Sequence, residues 1–176
     1  MPRTALIAAA LAALSSPASA KVVQSSAAGF AVSHTADVAA TPETIWAQLL
    51  HPENWWNGAH SWSGSAANLS LTAAPGGCFC EKLPGGGFAE HARVIHTMPG
   101  KLLRLSGALG PLQGEALTGT LTITIKSAGE GTSTISFDYV VGGNARFSLT
   151  ELAPAVDGVI GEQQRRLAQL FAKPAN

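Results

Sequence analysis

The chain has 176 residues, with eleven Lys+Arg balanced by eleven Asp+Glu, and 46% of its residues are hydrophobic. With charge so sparse and no basic stripe, the composition argues against a nucleic-acid partner and against a disordered chain. The length suits one domain built on one core.

The first twenty residues read as an address. Arg3 supplies a short positive region, Ala5 to Leu14 is an apolar run, and Ala18-Ser19-Ala20 is a small-x-small cleavage site. This is the layout of a secretory signal peptide cleaved after Ala20. A membrane span needs about 20 apolar residues, so no stable anchor is expected after cleavage. A periplasmic or secreted location follows. Residues 21–28 are small and polar and read as a flexible leader, and 29–173 as a single domain.

Gly29 to Val38 alternates in part and predicts a first strand. Thr41-Pro42-Glu43-Thr44 starts a helix, with threonine as the cap and proline at the first helical position, where its missing N–H costs nothing. That helix carries Ile45, Trp46, Leu49 and Leu50, and Pro52 ends it. His51-Pro52-Glu53-Asn54 opens a second short helix bearing Trp55 and Trp56. All four tryptophans lie between Trp46 and Trp62. Trp46 belongs to the apolar face of the first helix. Trp55, Trp56 and Trp62 sit in a Gly/Ser/Asn-rich connection, where large aromatics form the lid of a ligand pocket, a satellite core cluster, or a docking patch for a partner or membrane.

From Asn68 onward strands alternate with turns: Leu69 to Leu71, Cys78 to Leu83, Phe88 to Thr97, Leu102 to Gly107, Leu117 to Lys126 and Ser133 to Val141. Such short connections mean antiparallel pairing. Gly85-Gly86-Gly87 lies in a hairpin and not between a strand and a helix, so it is not a phosphate loop. No motif for a metal or cofactor stands out, and none is expected. Cys78 and Cys80 are one residue apart, and strand residues i and i+2 lie about 6.5 Å apart, at the upper edge of disulfide geometry. Two free thiols are the preferred reading. A strained disulfide and a weak metal site with His91 are the alternatives.

A regular hairpin across Pro84 to Gly87 places Leu83 opposite Phe88, Glu81 opposite Glu90 and Cys80 opposite His91. A Pro99-Gly100 turn places Val94 opposite Leu105 and His96 opposite Leu103. One face then holds Phe79, Leu83, Phe88, Ala92, Val94, Leu103 and Leu105, with Glu81, Glu90 and His96; the other holds Lys82, His91, Arg93 and Arg104. Facing glutamates on an apolar wall raise one another's proton affinity and form an acid/base pair; solvated carboxylates at wet strand ends are the plainer reading. Tyr139 also faces inward, offering a hydroxyl to a cavity or to a backbone partner.

The stretch from Leu152 to Phe171 predicts a long amphipathic helix. Leu152, Val156, Val159, Ile160, Leu167, Leu170 and Phe171 share one arc, with Asp157, Arg165 and Gln169 opposite. Gln163 lies within the apolar arc, where an unpaired amide costs about 1–3 kcal/mol, so it either touches a ligand or bonds to a strand. Gly158 and Gly161 fall on the outer face.

The segments ATPETIWAQLLHPENWW, PGGCFCE, HTMPGKLLRLSGALGP and LAPAVDGVIGEQQRRLAQLF resemble the SRPBCC superfamily. This helix-grip group includes START-type lipid binders, polyketide cyclases/dehydrases and birch-pollen-allergen-like proteins. The resemblance implies an α+β helix-grip fold, with an antiparallel sheet of about seven strands wrapped around the C-terminal helix and a hydrophobic cavity between them. The expected function is binding of a small hydrophobic or amphipathic molecule such as a lipid, quinone or aromatic. Candidate ligand contacts are Trp55, Trp56, Trp62, Glu81, Glu90, His96, Tyr139 and Gln163. The alternatives are a cyclase, dehydratase or hydrolase using Glu81 and Glu90, and an interaction module using the Trp-rich segment.

Overall fold

The computed structural model describes residues 21–172. The expected signal peptide lies outside the described residues. Eight strands form one antiparallel sheet in the order β1-β2-β8-β7-β6-β5-β4-β3. They are β1 (Lys21–Ser26), β2 (Gly29–Val38), β3 (Leu69–Leu71), β4 (Cys78–Lys82), β5 (Phe88–Met98), β6 (Leu102–Ser106), β7 (Ala116–Gly129) and β8 (Thr132–Asn144). Two α-helices, α1 (Pro42–Leu49) and α2 (Leu149–Gln169), complete the helix-grip architecture with several short 3-10 turns. The count exceeds the expected seven because Lys21–Ser26, read as a flexible leader, pairs with β2 as an edge strand.

Local chemistry explains both helices. The Thr41 side chain accepts a hydrogen bond from the Thr44 amide, and Pro42 opens α1. Ser148 caps α2 through the Glu151 amide, so the helix starts three residues before Leu152. The strict alternation of β7 and β8 buries Leu121, Ile123, Ile125, Ile135, Phe137, Tyr139 and Val141 against α1, α2 and the connecting segment, while the threonines between them face outward.

Two bulges in β5 redirect its side chains. Phe79 pairs with Ala92 but Cys80 with Glu90, so His91 is an extra residue on β5. Val94 pairs with Leu105 but His96 with Arg104, so Ile95 is a second. An extra residue restarts the two-residue alternation on the other face. The expected pairings of Glu81 with Glu90, Cys80 with His91, Leu83 with Phe88 and His96 with Leu103 are therefore replaced. Glu81 pairs with Ala89 and Lys82 with Phe88. His91 becomes buried beside Ala92, whereas Phe88 is 74% exposed and His96 is exposed. The assignment of Phe79, Ala92, Val94, Leu103 and Leu105 to the core holds.

Cys78 and Cys80 form a disulfide, against the preference for free thiols. The two Cα atoms lie 5.5 Å apart, inside the range a disulfide spans and shorter than the spacing of a regular strand.

Helix α2 buries more than one apolar arc. Gly161 and Gln164 are buried as well, and Asp157 is largely covered, because β2 packs along that side. The His34 ring lies directly on Gly161, so a Cβ there would overlap it, which accounts for this glycine. The space around Gly158 is open, and nothing in the structure explains that glycine. Leu170, placed in the arc, is exposed.

Candidate functional site

A cavity of about 280 Å³ opens between α2, the Trp-bearing connection and the loop after β6. Leu152, Val156, Val159 and Ile160 form the α2 wall, which their i, i+4, i+7, i+8 spacing places on one side of the helix. Trp56 and Trp62 come from the connection, Leu109 and Leu112 from the loop, and His91 and Tyr139 from the sheet. The lining is mostly apolar with few polar groups, the composition of small-molecule sites in general. Among the described residues no group of three or more His, Cys, Asp or Glu side chains is placed to hold a metal ion.

The connection carries only short 3-10 turns and is held by side chains. Gln163 Oε1 accepts the Asn57 amide at 2.7 Å, Glu162 accepts from Asn57 Nδ2 at 2.6 Å and meets His60 at 3.1 Å, and Arg166 Nε donates to the Trp55 carbonyl at 2.8 Å. The Asn57 hydrogen bond holds the Glu162 carboxyl below the usual carboxylate range against the opposing effect of burial, with help from His60 and the Arg166 charge. Polar contacts from little more than one turn of α2, Glu162 to Arg166, thus strap the Trp segment to the helix. Gln163 bonds to neither a strand nor the cavity: its amide oxygen serves this strap, and its Nε2 is buried without a partner among the described residues.

Glu81 secures the same connection from the other side. Its carboxylate accepts the backbone amides of Trp62, at 3.0 Å, and Ser63, and it meets His91 Nε2 at 2.9 Å. Burial alone would push this carboxyl up. The hydrogen bonds from Ser63, Trp62 and His91 outweigh it and hold the group down at about 2. An ionised carboxylate only accepts, so His91 Nε2 carries the shared hydrogen. The His91 ring also packs against Phe79, with centroids 5.1 Å apart.

Tyr139 fixes the third wall. Its hydroxyl donates to the Gly107 carbonyl at 3.1 Å and accepts the Leu109 amide at 2.9 Å. Burial pushes the phenol up to about 12, the Leu109 amide opposing only in part. The hydroxyl therefore anchors the loop that carries Leu109 and Leu112. Gly119 is required beneath it, since a Cβ there would overlap the Gly107 oxygen and the tyrosine ring.

Of the expected ligand contacts, Trp56, Trp62 and Tyr139 line the cavity. Glu81 and Gln163 stand behind its walls as the supports described above. Trp55 is core, edge-on to Phe137 and Trp56 with centroids 5.9 and 5.6 Å apart. Glu90 is paired with Arg93 on the outer face, 2.8 Å away, and the exposed His96 lies on the far side of the second bulge. The Glu81/Glu90 acid/base pair is consequently not formed, because the bulge at His91 sends the two carboxylates to opposite faces. With Trp55 and Trp56 buried, the three tryptophans do not form a docking patch; only Trp62 is exposed, at 53%. The sequence reading missed His91, whose inward position depends on a bulge with no local signal, and the Leu109 to Leu112 wall, whose Gly110-Pro111 signalled only a loop.

Solved structures share this fold. A conserved protein of unknown function from Enterococcus faecalis aligns with a TM-score of 0.58 at 15% identity, covering 87% of this chain and 77% of its own. A protein from Mesorhizobium loti aligns with a TM-score of 0.58 at 18% identity, covering 83% and 99%. CalU16 from Micromonospora echinospora aligns with a TM-score of 0.53 at 12% identity, covering 83% and 78%. Identities this low speak to the fold alone. No curated protein matches the chain. A family model described as polyketide cyclase/dehydrase and lipid transport matches residues 29–172, nearly all of the sheet and both helices, and the chain belongs to that family within the SRPBCC superfamily.

Proposed function

We propose that this chain is an exported binding protein for a small hydrophobic or amphipathic molecule, a lipid, quinone or aromatic, held in the cavity between α2, the sheet and the Trp-bearing connection. The observation that carries the reading is the apolar cavity itself, walled by Leu109, Leu112, Leu152, Val156, Val159 and Ile160. Core side chains normally fill such space. Here, polar contacts from Glu81, Glu162, Gln163 and Arg166 hold the connection around it. Family membership supports a ligand-binding or cyclase-like role. Export rests on the layout of residues 1–20, and the Cys78–Cys80 disulfide suits an oxidising compartment. The cyclase-like alternative loses its Glu81/Glu90 pair, which leaves His60, His91 and Tyr139 as the titratable groups on the cavity lining.

Titration of the mature protein with an apolar fluorescent probe, N-phenyl-1-naphthylamine, tests the reading. Saturable quenching of tryptophan emission is expected, and Val156→Trp, which fills the cavity, abolishes it. Native mass spectrometry of protein purified from the periplasm should show a co-purifying small molecule and a mass that begins at Lys21. Absence of binding by the probe and of any co-purifying molecule would overturn the proposal.

A further inference from the structure

We infer that His91, oriented by Glu81, is the polar recognition group of the cavity, and that the ligand is an apolar molecule carrying a hydroxyl, a phenol or alcohol, which donates its hydrogen to His91 Nδ1. The inference rests on the cavity reading above and adds the chemistry of the occupant.

Four observations converge. His91 is 6% exposed, yet it lines the cavity. Its Nε2 is engaged by Glu81, a carboxylate that also holds two loop amides and so stays fixed as an acceptor. The hydrogen bond at one ring nitrogen sets the role of the other. With Nε2 as the donor, Nδ1 of the neutral ring accepts. Nδ1 has no protein partner among the described residues, and it is not one of the sealed, unpartnered atoms, which are Gln163 Nε2 and Gln164 Oε1.

Most other polar side chains at the cavity are committed elsewhere, and the indole N–H of the half-exposed Trp62 can only donate, which leaves His91 Nδ1 as the ring acceptor there. The Tyr139 hydroxyl bridges Gly107 and Leu109, the Trp56 indole donates to the His60 carbonyl at 2.9 Å, and His60 is turned to Glu162. Ser61, also on the lining, donates its hydroxyl to the Gly58 carbonyl at 2.8 Å, and the remaining lining side chains are apolar. His91 is also the residue that the first β5 bulge adds. Without it the alternation would leave this position facing outward. Bulges recur where a side chain must be re-aimed toward a site.

Equilibrium dialysis of 2-naphthol against 2-methoxynaphthalene tests the inference, because the two probes share a ring system and differ in the hydroxyl hydrogen. One hydrogen bond predicts about tenfold tighter binding of the naphthol. His91→Phe, which keeps a ring against Phe79, should bind both probes equally. In the wild-type protein, naphthol should shift the ¹⁵N resonance of His91 Nδ1 and the ether should leave it in place, so the question is answered even if the variant does not fold. Glu81→Gln should redistribute the His91 tautomers in the same spectrum and weaken the preference, which a purely structural glutamate would not do. Equal affinity for the two probes, or a preference that survives His91→Phe, overturns the inference while leaving the cavity reading intact. Binding of neither probe overturns both.

Discussion

Among the described residues, two histidine–carboxylate pairs have buried rings, one against α2 and one at the cavity. His34 Nε2 meets Asp157 Oδ1 at 2.8 Å between β2 and α2, and His91 Nε2 meets Glu81 Oε2 at 2.9 Å between β5 and β4. The distances are nearly equal and the residue chemistry is the same, but the surroundings differ. The His34 ring is pressed beneath Gly161 of α2 and is not part of the cavity lining, while Asp157 has His34 as its hydrogen-bond partner. Glu81 gathers three donors, two of them from the irregular Trp62–Ser63 backbone, and its histidine borders the cavity. The first pair docks a helix on a strand. The second holds a loop open around a space. A buried histidine–carboxylate pair therefore acquires its role from what covers the histidine and from how many other donors share the carboxylate.

The contrast can be broken most severely at Glu81. Glu81→Ala leaves two part-buried amides and the buried His91 without an acceptor and should cost about 3 kcal/mol, read by urea unfolding. Acid should act on the same group. A carboxyl held at about 2 when folded, against 4.5 ordinarily, contributes stability that is fully present above about pH 4.5 and is lost as pH falls toward 2. That contribution is worth about 3 kcal/mol. Glu81→Gln should flatten the decline seen when unfolding is compared at pH 6, 4 and 3.

Gly161→Ala comes next. The new methyl must displace the His34 ring, so a loss of about 1–3 kcal/mol in thermal or urea unfolding is expected despite the better helix former. Replacing both Cys78 and Cys80 by serine should cost about 1–2 kcal/mol, because so short a loop removes little unfolded-state entropy. Asp157→Asn, which disturbs a single hydrogen bond, should cost about 1 kcal/mol and leave naphthol binding unchanged. The smallest effect has the opposite sign. Gly158→Ala, in open space on the same helix, should stabilise by about 0.5–1 kcal/mol. A loss at Gly158 as large as that at Gly161 would show that propensity and packing at this crossing have been wrongly separated.

Much of the architecture was legible because it depends on periodicity and on short-range chemistry. Alternation in β7 and β8 identified Leu121, Ile123, Ile135 and Phe137 as the inward face, the Thr41-Pro42 pair marked the start of α1, and the spacing of Leu152, Val156, Val159 and Ile160 marked the α2 wall. The candidate site was legible only where it follows those same periods, at Tyr139 and the α2 wall, and where tryptophan content pointed to a segment, at Trp56 and Trp62. Elsewhere one extra residue in β5 was enough to exchange His91 for Glu90 as the partner of Glu81.

The sequence by itself determined the helix-grip order of elements, the antiparallel pairing of neighbours and the apolar faces of the regular strands and of α2, because each of these follows from periods of 2 and 3.6 residues and from local caps and turns. Only the tertiary structure decided that Lys21–Ser26 is an edge strand, that Cys78 and Cys80 come within bonding distance, that Gly161 lies under His34, and that His91 with Glu81 borders the cavity. Apart from the disulfide, each of those outcomes depends on the register or approach of segments distant in the chain. A bulge or a close contact is selected by what fits across the sheet and beneath the helix, and the residues at that point carry no local preference strong enough to announce it.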